Sequence, residues 1–98
     1  MIQGGIVTTV AVSSSKEPSV YSQSVDALAT VDRNLREAGT AKSRILTVMC
    51  YIADIDQKAE FNRAWDGWVD RSNLPVRACV GAALESEDLV ELVVTAAV

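Results

Sequence analysis

Two kinds of hydrophobic pattern alternate along this chain, one with the period of a strand and one with the period of a helix. Residues 6–12 form a β-branched run bounded by serines, which predicts a strand that ends in a loop. The preceding Gly4-Gly5 pair fits a two-residue hairpin turn, because both central residues of such a turn take positive φ. Residues 1–3 remain for a strand before that turn, so the chain is predicted to start with a β-hairpin.

A helical period follows the proline at position 18. Apolar residues recur at spacings of three and four while charged residues fall mostly on the opposite side, which predicts a helix from about residue 19 to about residue 38. Ser19 is the candidate N-cap, and Gly39 is expected to end the helix in a left-handed conformation. Tyr21 and Gln23 in the first turn are expected at the surface or as residues that staple the start of the helix, with ligand binding as the alternative. The apolar stripe consists of Leu28, Val31, Leu35 and Ala38.

The second half of the chain repeats the alternation of strand and helix. Residues 45–53 are apolar on both faces, which is typical of a central strand. Residues 54–56 are expected to cap a second helix from about residue 57 to about residue 69, whose aromatic stripe is predicted to pack in the core rather than to bind a cofactor. That stripe consists of Phe61, Trp65, Trp68 and Val69.

The last two strands are predicted at residues 75–84 and 89–98. The acidic turn at residues 85–88 is expected to be solvated rather than to bind a metal ion. The order strand, strand, helix, strand, helix, strand, strand predicts a single α+β domain over residues 1–98, with both helices on one face of a mixed β-sheet. The other face of that sheet must then be covered by further protein.

A polar surface interrupts these apolar strands. Side chains alternate along a strand, so Arg77, Cys79 and Gly81 share one side of the strand at residues 75–84. Arg77 lies among valines and alanines, and the planar fork of its guanidinium suits a carboxylate held by two hydrogen bonds. We therefore expect Arg77 either to pair with Glu91 or to bind a ligand at a cleft.

The spacing of these residues resembles that of a known family. The C-terminal run Pro-x-Arg-x-Cys at residues 75–79, then Leu84 and Val-Glu-Leu at residues 90–92, resembles the C-terminal motif of the reactive intermediate deaminase (Rid, YjgF-like) family. The resemblance covers roughly residues 6–98. Its upstream matches are Asn34-Leu35, Ala38-Gly39, Tyr51-Ile52-Ala53-Asp54 and the run Asn62, Trp65, Trp68.

The resemblance implies a fold, an assembly and a reaction. Rid proteins share the chorismate-mutase-like fold and form homotrimers with a barrel core and clefts between subunits. They are enamine and imine deaminases that convert 2-imino acids to 2-oxo acids and ammonia. Carried over to this chain, Arg77 anchors the substrate carboxylate, while Glu91 and Cys79 occupy the catalytic positions: Glu91 positions or activates the water, and Cys79 lines the pocket. No cofactor and no metal ion are implied, and the ligand is a small carboxylate.

Two features depart from the family pattern. The family has a first strand preceded by a Gly-Pro-Tyr-Ser segment whose tyrosine lines the site, and this chain is expected to begin too late to contain it. The family also has a Ser-Gly or Thr-Gly pair at the end of the second strand, where this chain has Val10-Ala11 or, in a shifted register, Val12-Ser13. Carboxylate binding through Arg77 is therefore expected to persist with slow turnover of small 2-imino acids.

Composition narrows the remaining possibilities. The net charge of -4 argues against a nucleic-acid surface. No apolar run approaches the roughly 18 residues that span a bilayer, and the first positive charge is Lys16, so neither a membrane protein nor a signal peptide is expected. The absence of histidine removes Ser-His and Cys-His pairs. Cys50 and Cys79 are predicted to be reduced thiols without a redox or metal motif, which agrees with a cytoplasmic protein.

Three alternatives to a deaminase remain. The chain could be a noncatalytic trimer that binds small carboxylates or partner proteins, or an enzyme like chorismate mutase, which has the same trimeric architecture. In the third alternative, Arg77 and Glu91 form a structural ion pair and no ligand binds.

Overall fold

A computed structural model describes residues 2–98. The chain forms five strands and two α-helices in the predicted order, with short 3-10 turns before β3 and before α2. The elements are β1 (Ile2–Gln3), β2 (Ile6–Val12), α1 (Val20–Glu37), β3 (Ile45–Ile52), α2 (Lys58–Asp66), β4 (Val76–Gly81) and β5 (Val90–Ala97).

The strands form one mixed sheet in the order β1-β2-β5-β3-β4. The first three neighbouring pairs are antiparallel, and β3 and β4 are parallel. The last strand, β5, is therefore inserted between β2 and β3, in the sheet interior that its apolar sequence predicts. The predicted mixed α+β architecture is confirmed.

Local signals begin and end the elements as expected. Gly4 and Gly5 have φ angles of 60° and 79° in the turn between β1 and β2. The Ser19 hydroxyl accepts a hydrogen bond from the backbone N–H of Ser22 at the start of α1. Gly39 has a φ of 82° just after α1 ends, which is the left-handed cap that the sequence predicts.

The core lies between the helices and one face of the sheet. On β5 every second residue is buried, namely Val90, Leu92, Val94 and Ala96. Phe61 and Trp65 of α2 are buried against this face, which confirms their assignment to the core. The helix ends at Asp66 rather than near residue 69, because Gly67 has a low helix propensity and the chain turns there, so the half-buried Trp68 lies outside the helix.

Of the two positions expected for Gln23, the one at the surface is wrong. Gln23 is fully buried rather than at the surface. Its Nε2 donates to the backbone oxygens of Glu17 (2.8 Å) and Glu87 (2.9 Å), and its Oε1 accepts from the N–H of Leu89 (2.9 Å). Two loops pack over the start of α1, and their backbone groups need hydrogen-bond partners. The amide of Gln23 supplies these partners, which is why a polar side chain is buried at this position.

The second face of the sheet carries no helix within residues 2–98. Apolar side chains on this open face are solvent-exposed in the single chain, including Val76 at 72% and Val10 at 56%. Exposed apolar side chains on a sheet face are typical of a surface that packs against other protein. None of the helices in residues 2–98 has the length and hydropathy to cross a membrane.

Candidate functional site

The motif strand β4 forms one edge of the sheet and runs parallel to β3. Val48 pairs with Arg77, and Cys50 pairs with Cys79. Val48 and Cys50 are buried on the helix-covered face, and paired residues on neighbouring strands point to the same face. Arg77 and Cys79 therefore share the helix-covered face, as the alternation of β4 predicts.

Arg77 is half-buried beneath α2 and is held from two directions. Its Nη1 donates to Oδ1 of Asn62 at 3.0 Å. Its guanidinium carbon lies 5.1 Å from the centroid of the Trp65 ring and 5.7 Å from that of Phe61, distances at which cation–π attraction contributes. One amide and two rings thus orient the guanidinium while leaving several of its five N–H donors available.

A cleft of about 440 Å³ opens at this guanidinium. Its lining residues are Asn62, Trp65, Asp66, Leu74, Pro75 and Arg77. Within residues 2–98 the ion pairs are Lys16 with Asp88 and Arg63 with Glu60, so no carboxylate of the described chain neutralises Arg77. The cleft therefore presents an oriented cation that can bind an anionic ligand.

Glu91 does not reach this cleft from the same chain. Its neighbour Leu92 is fully buried on the helix-covered face and pairs with Cys50, whereas Glu91 pairs with Tyr51 and lies on the open face. Arg77 and Glu91 are thus on opposite faces of the sheet, two strands apart. The hypothesis of an Arg77–Glu91 ion pair within one chain is wrong.

The two cysteines lie side by side in the sheet. Both are free thiols; Cys50 is buried and Cys79 is half-buried. Burial, followed by the neighbouring Cys79, raises the pKa of the Cys50 thiol to about 12. Cys50 is therefore a protonated core residue at neutral pH. Cys79 lies farther along β4 than Arg77 and does not line the Arg77 cleft.

The loop after β2 is built around a carboxylate that the sequence did not single out. The hydroxyl of buried Ser13 donates to Oδ2 of Asp26 at 2.9 Å, and the backbone N–H of Ser14 donates to the same oxygen at 2.7 Å. These hydrogen bonds, that of Ser13 first, lower the pKa of Asp26. The loop after β2 is thereby held against α1.

The acidic turn lacks the features of a metal site. Asp88 forms an ion pair with Lys16. Across residues 2–98 no group of three or more histidine, cysteine, aspartate or glutamate side chains is placed to hold a metal ion.

Asn62 is the site residue whose role the sequence left unassigned. It lies one helical turn before Asp66 and three residues before Trp65, so one side of α2 supplies three residues of the cleft. The Asn-x-x-Trp spacing on a helix that precedes the motif strand was the available signal. The sequence favours a carboxylate as the partner of Arg77, and in the structure the amide of Asn62 takes that place.

Comparisons with known proteins show which sequences this chain is similar to. The family model described as Endoribonuclease L-PSP matches residues 4–98. The chain is 42% identical over 79 residues to a RutC family protein of Haemophilus ducreyi, which corresponds to 80% of this chain and 68% of that protein.

Solved structures of other proteins have the same fold as this chain. A Salmonella typhimurium protein superposes with a TM-score of 0.95 and 33% identity over 99% of this chain and 85% of that protein. NMB1025 of Neisseria meningitidis, a member of the YjgF protein family, superposes with a TM-score of 0.93 and 35% identity over 98% of this chain and 82% of that protein.

Proposed function

Because the chain belongs to the L-PSP family, which includes the RutC and YjgF proteins, we propose that it is a deaminase that hydrolyses reactive 2-imino acids to 2-oxo acids and ammonia. The observation that carries this proposal is the Arg77 cleft. An oriented guanidinium that forms no ion pair within residues 2–98 suits the carboxylate that every 2-imino acid carries.

The proposed reaction requires only positioning and one proton acceptor. Arg77 holds the substrate carboxylate, which fixes the neighbouring C=N carbon at a set distance from the water. Water adds to that carbon as the carboxylate of Glu91 accepts its proton and the imine nitrogen is protonated. The carbinolamine then releases ammonia and leaves the 2-oxo acid. Proximity lowers much of the barrier, because the substrate is already reactive.

Because Arg77 and Glu91 lie on opposite faces of the sheet, the proposed reaction requires these two residues to come from different chains. A small ligand on the helix-covered face of one chain cannot touch Glu91 of that chain. In a homotrimer whose sheets pack through their open faces, a cleft between subunits can receive Arg77 from one chain and Glu91 from its neighbour. The exposed apolar residues Val10 and Val76 on the open face support such packing.

A second candidate is a noncatalytic trimer that binds small carboxylates or partner proteins. The absence of glycine from the Val10-Ala11 pair favours it. In the family pattern a glycine exposes backbone to the substrate at this strand, whereas Ala11 of this chain is buried. RNA cleavage, which the description of the family model names, has less support. A net charge of -4 and the absence of histidine fit an RNA-cleaving site poorly.

Ammonia release from a 2-imino acid generated in the assay tests the proposal. We expect turnover by the wild-type protein and a loss of at least tenfold in kcat/KM for Arg77→Lys, since a point charge replaces a two-pronged contact. Arg63→Lys is the matched control, because Arg63 lies on the exposed side of α2 and pairs with Glu60. Cys79→Ser should keep measurable activity. Binding of 2-oxo acids without any ammonia release would favour the noncatalytic candidate.

A further inference from the structure

The cleft beside Arg77 contains a carboxylate that the proposed reaction does not use. Asp66 lines this cleft together with Asn62 and Arg77. Asn62 and Asp66 are four residues apart on α2, so they lie on one side of the helix, about 6 Å apart along its axis. Because Asn62 accepts a hydrogen bond from Arg77, the Asp66 carboxylate lies about one helical turn beyond the point where the guanidinium is held.

The Asp66 carboxylate is available to a ligand. Asp66 is exposed, and no lysine or arginine in residues 2–98 forms an ion pair with it. Arg71 donates to the backbone oxygen of Asp66 at 3.0 Å and not to its carboxylate. As the last residue of α2, Asp66 also lies at the helix end whose unpaired carbonyl groups favour a positive charge.

Apolar side chains line this cleft together with the two charged ones. Trp65 lies between Asn62 and Asp66 in the helix, and Leu74, whose side chain is 66% exposed, lines the same cleft with Pro75. The cleft thus presents a cation, apolar side chains and an anion. This combination is complementary to a molecule with a carboxylate at one end, methylene groups in the middle and a positive charge at the other end.

We propose that the preferred substrates of this site are 2-imino acids whose side chains end in a positive charge, with Asp66 as the residue that determines this specificity. The inference rests on the proposed deaminase function. The substrate carboxylate binds Arg77, its methylene groups pack on Trp65 and Leu74, and its cationic end pairs with Asp66. Without Asp66, the positive charge of Arg77 would disfavour a cationic side chain, so the carboxylate reverses the preference of the cleft.

The test compares 2-imino acids made in the assay by an amino-acid oxidase from arginine, norleucine and glutamate, whose side chains end in a positive charge, a methyl group and a negative charge. For the wild type we expect kcat/KM to be roughly two- to fivefold higher for the arginine-derived than for the norleucine-derived substrate, the size of one exposed charge pair. Asp66→Asn should bring this ratio close to one, and Asp66→Lys should favour the glutamate-derived substrate. Glu60→Gln is the matched control, since it removes a carboxylate from the same helix outside the cleft and should leave the ratio unchanged.

The outcomes separate the two proposals. Turnover of all three substrates with a wild-type ratio near one, or a ratio that Asp66→Asn leaves unchanged, would overturn the specificity proposal while the deaminase function stands. No turnover of any of the three substrates would overturn the deaminase function, and the specificity proposal with it.

Discussion

At the scale of single residues, the orientation of Arg77 explains how an arginine is accommodated on a largely apolar strand. Its charge is balanced by an amide dipole and two ring faces rather than by a carboxylate. A buried ion pair would have consumed the donors that a ligand needs, whereas an amide accepts one hydrogen bond and leaves the rest. In contrast to Arg77, which remains available to a ligand, Cys50 on the neighbouring strand is unreactive because burial raises the pKa of its thiol.

The high pKa of Cys50 predicts that this thiol resists alkylation in the folded protein. With a pKa of about 12, roughly one Cys50 thiol in ten thousand is a thiolate at pH 8. In the Cys79→Ala variant, iodoacetamide at pH 8 should therefore leave the protein unmodified by mass spectrometry until denaturant is added. A Cys50→Ala variant serves as the control for reagent access to Cys79. Modification of native Cys79→Ala as fast as in denaturant would contradict the buried position of Cys50.

At the scale of elements, α1 links the sheet to two loops through a buried polar side chain. Gln23 contacts the loop before α1 and the loop between β4 and β5. These loops lack regular partners for their backbone groups, so one amide replaces the hydrogen bonds that a strand would have made. Helix and loops are expected to unfold together.

Gln23→Leu should therefore destabilise the protein by about 3 kcal/mol, because the oxygens of Glu17 and Glu87 and the N–H of Leu89 lose their partner in a buried setting. Gln57→Leu, a change of the same type at an exposed position, should shift the free energy of unfolding by less than about 0.5 kcal/mol. Urea denaturation measures both values. Equal midpoints for the two variants would show that the buried amide has no special role.

Much of this arrangement follows from sequence pattern. The hairpin glycines, the Ser19 cap and the shared face of Arg77 and Cys79 each depend on local periodicity and are observed as predicted. The face of Glu91 does not follow from pattern, because β5 is apolar on both sides and its alternation gives no indication of which side meets the helices. Gln23 also required tertiary structure, since the loops that satisfy its amide are distant in sequence.

At the scale of the whole molecule, one sheet face is covered by helices and the other is not. The open face includes exposed valines on strands at opposite sides of the sheet, such as Val10 on β2 and Val76 on β4. For a 98-residue chain, burial of this face in an oligomer would add substantially to a small core. The same packing would bring the open-face Glu91 of one chain near the β4 edge of another.

Light scattering should accordingly give a mass about three times the 10.5 kDa of one chain. Val93→Asp, which introduces a charge on the open face, should shift the mass towards the monomer, because a buried unpaired carboxylate costs several kcal/mol. Val25→Asp is the matched control on the exposed side of α1 and should keep the assembly. A wild-type mass of 10.5 kDa at micromolar concentration would exclude the trimer.

The most direct test of the account is subunit complementation between Arg77→Lys and Glu91→Gln. The central claim is that one reactive site uses Arg77 of one chain and Glu91 of its neighbour, as their opposite orientations require. Each variant alone should be nearly inactive. After the two are unfolded together in equal amounts and refolded, random assembly should restore roughly a quarter of the wild-type rate of ammonia release, because one neighbour pair in four then combines an intact Arg77 with an intact Glu91. A refolded mixture no more active than the separate variants, despite mixed trimers detected by native mass spectrometry, would contradict the shared site.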